Sequence, residues 1–315
     1  MKIIITDCDH SNLLEEEAVF QKAGMTYTLL QCRTEEDVIT QCREGEILLN
    51  QYAPMTERVL RQLPALKLII RYGVGYNNID LDAATHLGIQ VCNIPDYGTD
   101  EVADHAFALM LALTRKIVTM NRRTKEVGWD YTYAIPIQRY SAMTVGVVGL
   151  GRIGRTFAGL ARGLGCRVIG CDPYYTPRES DGTGYIQSVC FEELVGSSDV
   201  ISIHCPYTPN LFCRATFQAM KPSAVLINVA RGGIVNERDL DEALELGEIA
   251  GAGLDCMEQE PMPPNAPIFR HENLICTPHM AWYSQQASSD LKRKAAEQAV
   301  LFASGQPVTY PVNQL

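Results

Sequence analysis

Short aliphatic runs alternate with stretches of helical spacing along almost the whole chain. Residues 3–6, 27–30, 47–50, 66–71 and 89–93 are apolar runs of strand length, and residues 13–23, 35–42, 56–63 and 81–87 between them carry helix-spaced apolar positions. Asn12 with Glu15 is a capping-box candidate for the first helix, and Gly24 is its stop. Strands separated by helices predict a parallel sheet covered on both faces. Residues 100–123 are apolar on one side and contain no Gly or Pro, which predicts a single helix of about six turns. A loop rich in Tyr and Trp follows at 128–140. The alternation then resumes, with strands near 144–148, 167–171, 199–203, 224–229, 250–254 and 274–277 and a closing helix over 284–303. The tail from Gln306 has no helical period and is expected to pack back on the first domain.

One turn in the second set is specific. The β-branched run Val145, Val147, Val148 leads into Gly149-x-Gly151-x-x-Gly154, helical spacing follows, and Asp172 closes the next apolar run 18 residues past Gly154. This is a dinucleotide-binding fingerprint in its strand–turn–helix–strand setting. Gly149 permits the tight turn, Gly151 lets backbone approach a pyrophosphate, and Gly154 lets helix pack on strand. A helix N-terminus offers unpaired N–H groups and a positive dipole end to the phosphates. Asp172 can accept from the adenosine ribose hydroxyls and repels a 2′-phosphate. No Lys or Arg follows it before Arg178, so NAD is favoured over NADP. The expected fold is α/β, with two Rossmann-like or flavodoxin-like parallel-sheet domains and an interdomain cleft. The substrate domain would take 1–99 with about 284–315, and the NAD-binding domain 100–283. Ligands of open α/β sheets bind beyond the carboxyl ends of the strands, which places the substrate in that cleft.

Composition narrows the partners. A chain of 315 residues that is 46% apolar has enough apolar residues for two cores. A formal charge of −10 argues against nucleic acid or an anionic membrane surface. No apolar run is long enough to span a bilayer, and the N-terminus reads as a first strand rather than a signal peptide. The 11 cysteines show no CxxC or zinc-ligand spacing and mostly interrupt apolar runs, so a reducing cytoplasm is expected and no metal site.

Three polar residues stand just past apolar runs of the second domain: Arg231 before Gly232-Gly233, Glu260 before Pro261, and His279 before Met280-Ala281-Trp282. Each is expected at the carboxyl end of a strand. Taken singly, each also suits a structural role: a helix-cap partner, a solvated turn acid, a loop histidine. Together their strings resemble the D-isomer-specific 2-hydroxyacid dehydrogenases. The segments around Gly73-Val74-Gly75, with Asn77-Asn78 and Asp80, and the helix opening Glu101-Val102-Ala103-Asp104-His105 resemble the same family. Arg71 to Gly75 and Ala281 to Ser288 look most like its C-terminal-binding-protein branch, which includes NAD-dependent corepressors.

The resemblance implies hydride transfer between a nicotinamide and a 2-oxo acid. His279 would be the acid/base, as its residue type suits, and Glu260 would hold its tautomer and keep it protonated to higher pH. Arg231 would bind the carboxylate through its planar fork. The family pattern adds the amides of Val74 and Gly75 for the carboxylate, and cofactor contacts at Arg152, Ile153, His204, Cys205, Pro206, Val229, Ala230 and Asp255. Arg71 could add a second positive charge and Trp282 an aromatic wall. The loop 50–56 carries no positive charge, so an unphosphorylated 2-oxo acid is expected over phosphoglycerate-type substrates. Asn236 and the stretch 211–214 depart from the common pattern. An NAD(H)-responsive, corepressor-like binding protein is the alternative. The family also implies a homodimer through residues 100–140, with Trp129, Tyr131 and Tyr133 as anchors.

Overall fold

A computed structural model describes residues 1–9 and 12–315. The chain falls into two compact units, Met1–Gly98 with Ser284–Leu315, and Thr99–Tyr283. In chain order the first unit begins with β1 (Ile3–Ile5), α1 (Leu14–Lys22), β2 (Tyr27–Leu29), α2 (Glu35–Gln41) and β3 (Ile47–Asn50). It continues with α3 (Glu57–Leu60), β4 (Leu68–Arg71), α4 (Leu81–His86) and β5 (Gln90–Cys92). The second unit opens with α5 (Thr99–Thr114), α6 (Ile117–Glu126), β6 (Thr144–Val148), α7 (Arg152–Gly163), β7 (Arg167–Cys171) and β8 (Gln187–Ser188). Then come α8 (Phe191–Ser197), β9 (Val200–Ile203), α9 (Arg214–Ala219), β10 (Val225–Asn228), α10 (Glu237–Leu246), β11 (Gly251–Leu254) and β12 (Leu274–Cys276). The last helix, α11 (Gln285–Ala303), belongs to the first unit.

Both sheets are wholly parallel, as the alternation predicts. The first has the order β2-β1-β3-β4-β5 and the second β12-β11-β10-β9-β6-β7-β8. Strands covered on both faces have no polar side to show, and β1, β3 and β4 are accordingly almost continuous Ile and Leu, with every one of those aliphatic side chains buried. The strand order of the second sheet reverses between β6 and β9, and in open α/β sheets ligands bind at the carboxyl ends of the strands at such a switch point. Buried side chains cover both faces of this sheet, with Val147, Phe157 and Ala161 in one cluster and Ile201, Phe217 and Leu226 in the other.

Two local expectations are corrected. The region 100–123 is not one helix. It breaks at Lys116, whose φ is +54°, a left-handed residue between α5 and α6. The reason is burial: α5 seats Ala103, Ala106, Leu109, Met110 and Leu113 in the core, whereas α6 buries no residue. Beyond Leu113 no core surface holds the chain on its axis. The capping box at Asn12 and Glu15 is also absent. Leu13 takes the cap position, Asn12 Oδ1 accepts the Leu14 N–H at 3.3 Å, and Glu15 accepts the Ser289 hydroxyl at 2.7 Å. A capping box does form at α2, between Thr34 and Asp37. The tail packs on the first unit as expected: Val312 N–H donates to Val91 O at 2.9 Å, and Asn313 Oδ1 accepts from the Val91 N–H at 2.8 Å.

Candidate active site

Between β6 and α7 the chain turns at Gly149 (φ +93°), where a Cβ would stand 2.7 Å from the backbone N of Cys205. Only glycine fits there, because the loop after β9 passes directly against it. At Gly154 a Cβ would stand 2.0 Å from Gly149 O, so helix and turn touch through backbone. Gly151 is different: a Cβ there meets nothing within 4 Å, and the N-terminus of α7 receives no side-chain cap from it. The turn thus presents open space in front of helix N–H groups, with Arg152 exposed and Ile153 half-buried beside it. This geometry fits a pyrophosphate.

Asp172 follows β7 and is fixed by backbone. Its Oδ2 accepts the Leu150 N–H at 2.7 Å, and its Oδ1 accepts the N–H groups of Tyr174 and Tyr175 at 2.7 and 3.1 Å. A carboxylate has about four acceptor positions, so capacity remains for a ribose hydroxyl. Arg155 on α7 donates to Leu150 O at 2.6 Å and lies over the Tyr175 ring. Across the turn, His204 is held by Ser202 Oγ at 2.8 Å and packs on the Phe157 ring. Burial pushes its imidazole down to about 3, so it is neutral at ordinary pH. Burial pushes the Cys205 thiol up to about 11. Pro206 is exposed, Val229 buried and Ala230 half-buried.

The adjacent strands β10, β11 and β12 deliver the three polar residues. Asn228, the last residue of β10, donates from Nδ2 to Arg231 O at 2.8 Å and accepts the Ala230 N–H at 3.1 Å, a tight loop that presents Arg231. Past β11, Glu260 accepts the Met257 N–H at 2.9 Å with Oε1. Its Oε2 lies 2.6 Å from His279 Nδ1 in the segment past β12. Desolvation raises the Glu260 pKa, but the hydrogen bonds from His279 and the Met257 amide, with the charges of His279 and Arg231, outweigh it and leave the carboxyl below its ordinary value. Glu260 is therefore a carboxylate at neutral pH, and its bond to Nδ1 turns Nε2 of His279 outward. His279 has a φ of +52° and an exposed imidazole. Trp282, half-buried, meets the Tyr283 ring edge-on at 5.6 Å.

In the first unit Arg71 ends β4, its guanidinium donates to Tyr72 O, and the exposed Val74 and half-buried Gly75 follow. Val74 O accepts Asn93 Nδ2 at 2.7 Å, which braces this loop. Two supporting residues lie within family-like strings but have no role legible from sequence alone: Asn228, which shapes the Arg231 loop, and His105, whose Nε2 lies 2.9 Å from Thr277 Oγ1. Asn236, a departure from the common pattern, caps α10 by accepting the Asp239 N–H at 3.0 Å and donates its amide to Asn210 at 3.0 Å.

The model of the NAD-binding domain of D-isomer-specific 2-hydroxyacid dehydrogenases matches residues 107–281. The chain belongs to this family. A D-3-phosphoglycerate dehydrogenase of Archaeoglobus fulgidus is 35% identical over 99% of the chain, and the chain spans 59% of that relative's length. A glyoxylate reductase of Korarchaeum cryptofilum is 36% identical over 83% of the chain and 80% of its own length. Among solved structures, a D-lactate dehydrogenase of Aquifex aeolicus complexed with NAD and lactic acid aligns over 96% of each chain with a TM-score of 0.85 and 28% identity. The family read from the motifs is thereby borne out. No helix among the described residues is long and apolar enough to cross a membrane.

Proposed function

We propose that the protein interconverts a 2-oxo acid and a D-2-hydroxy acid with NAD(H). The observation that carries this reading is the 2.6 Å contact of His279 Nδ1 with Glu260, past the ends of β12 and β11, next in the sheet to β10, which leads to Arg231. The nicotinamide, when bound, supplies or accepts the hydride. His279 gives the proton that the reduced carbonyl oxygen takes up, and in the reverse direction removes it from the hydroxyl. Glu260 fixes the donating nitrogen and stabilises the imidazolium. Arg231 holds the substrate carboxylate and polarises the carbonyl. Arg71, Val74, Gly75 and Trp282 complete the substrate contacts in this reading. Gly149, Gly151, Arg152, Ile153, Gly154, Asp172, the residues from His204 to Pro206 and Val229 to Ala230, and Asp255 hold the cofactor.

For the substrate, the uncharged loop 50–56 supports an unphosphorylated 2-oxo acid. A homodimer is supported by α6, which buries nothing, and by Trp129, which is 94% exposed beside exposed Tyr131, Tyr133 and Ile135. The 11 free thiols suit a reducing cytoplasm. The test is a panel of glyoxylate, pyruvate, hydroxypyruvate, branched 2-oxo acids and phosphohydroxypyruvate with NADH, followed by absorbance. Turnover should be fastest on an unphosphorylated acid. Turnover on none of them defeats the enzyme reading, and a clear preference for phosphohydroxypyruvate defeats the substrate reading.

A further inference from the structure

The backbone around His279 is gripped by one buried carboxylate. Asp255, at the end of β11, is 2% exposed. Its Oδ1 accepts the Thr277 hydroxyl at 2.5 Å and the Met280 N–H at 3.0 Å, and its Oδ2 accepts the Ala281 N–H at 2.8 Å. Asp255 thus binds the chain on both sides of His279, whose φ of +52° is a backbone that side chains rarely adopt and that the surroundings must hold.

Hydrogen counting extends the grip to α5. The Thr277 hydroxyl has one proton, and an ionised carboxylate only accepts. That proton therefore points at Asp255. His105 Nε2, 2.9 Å from the same hydroxyl oxygen, must then be the donor, so the His105 ring carries a proton on Nε2. The same nitrogen lies 3.6 Å from Asp255 Oδ1, which places its positive edge against the carboxylate. A relay results, from His105 N–H to Thr277 O–H to Asp255, ending on the amides of Met280 and Ala281.

We infer that His105 and Thr277 are positioning residues for the proton transfer: they lock the loop that aims His279. The inference rests on His279 being the proton carrier. Glu260 fixes the ring of His279 from one side and the relay fixes its backbone from the other. Loosening the relay leaves the Glu260 contact in place but frees the direction of Nε2. The loss should then fall on kcat, with KM and cofactor affinity little changed.

The experiment compares apolar and conservative variants. Thr277→Val and His105→Leu remove the relay, Thr277→Ser keeps the hydroxyl, and His105→Gln keeps an N–H at the reach of Nε2. Steady-state reduction of the best acid of the panel is measured with NADH titration, thermal melting and hydrogen-exchange mass spectrometry of the 277–283 peptide. The apolar variants should lose kcat by on the order of tenfold or more, with KM and the NADH Kd within about twofold. Exchange at the Met280 and Ala281 amides should speed up by about tenfold, and the conservative variants should recover to within about threefold of the parent. His105→Leu carries the test if Thr277→Val does not fold. Unchanged kcat, unchanged exchange, or equal loss in the conservative and apolar variants would each overturn the inference. His279→Ala is the separate control. If it still reduces substrate, the proton-donor reading falls, while the exchange result continues to decide whether the relay holds the loop.

Discussion

Adding one methyl group at either of two glycines separates a cofactor site from a mere turn. Gly151 has a φ of −66°, ordinary for any residue, and a Cβ there meets no protein atom within 4 Å. Gly151→Ala should cost the free protein no more than about 1 kcal/mol, because Ala caps a helix less well than Gly. That corresponds to a melting shift of roughly 2–4 °C in a unit of this size. At Gly154 the same methyl would stand 2.0 Å from Gly149 O. Ordinary contact lies near 3.5 Å, so the start of α7 must retreat by roughly 1.5 Å, an overpacking cost of about 1–3 kcal/mol. With a cofactor present the order changes. A methyl at Gly151 occupies the space in front of the α7 N–H groups and pushes a phosphate off them, and hydrogen bonds to charged groups are worth about 1.5–3 kcal/mol. The Kd for NADH should rise by on the order of ten- to a hundredfold. Calorimetric titration with NADH and thermal melts of both variants make the assay. Gly151→Ala should melt near the parent and bind weakly, and Gly154→Ala should fail in both. A stable Gly151→Ala with the parental Kd would refute the pyrophosphate assignment.

Three further outcomes follow from the same geometry. NADH should drive reduction faster than NADPH, and Asp172→Ala should narrow that ratio in initial-rate assays; equal use of NADPH by the unmodified protein contradicts the role of Asp172. Arg231→Lys keeps the charge but loses the planar fork, so kcat/KM should fall by on the order of a hundredfold, about 2.7 kcal/mol, with little change in NADH affinity; near-normal turnover would place the carboxylate elsewhere. Lys116→Gly relieves a left-handed residue and should raise stability by several tenths of a kcal/mol or more, whereas in a continuous helix the same change costs about 1 kcal/mol, so the sign of the melting shift decides between the two.

The parallel sheets were legible because their central strands are buried on both faces and show no polar register. The strand at Gln187–Ser188 was not legible, being two exposed residues with no apolar run to mark them. The break at Lys116 was equally invisible, since Arg115, Lys116 and Ile117 all suit a helix. What ends α5 is the loss of core surface beyond Leu113, a tertiary fact. In the candidate site, the glycine turn and the Arg231, Glu260 and His279 positions stood out as polar or small residues against apolar runs. His105, Thr277 and Asn228 had no role legible in sequence, because each acts through hydrogen bonds to residues distant in sequence or to backbone groups around a loop.

The central claim is that the His279–Glu260 pair moves the proton of a 2-oxo acid reduction. Reduction consumes a proton, so the active form carries imidazolium, and the rate should be high at low pH and fall as pH rises. Hydroxy-acid oxidation should show the opposite limb. Glu260 is held ionised below its ordinary carboxyl range, partly by His279 itself, so its negative charge is present throughout the neutral region. Glu260→Gln removes that charge and keeps the shape. The most direct measurement is therefore the pair of reductive kcat/KM–pH profiles for the unmodified protein and Glu260→Gln. In the variant the limb should be displaced to lower pH, with reduced but measurable activity. Coincident limbs would contradict it and would mean that Glu260 does not tune the proton donor.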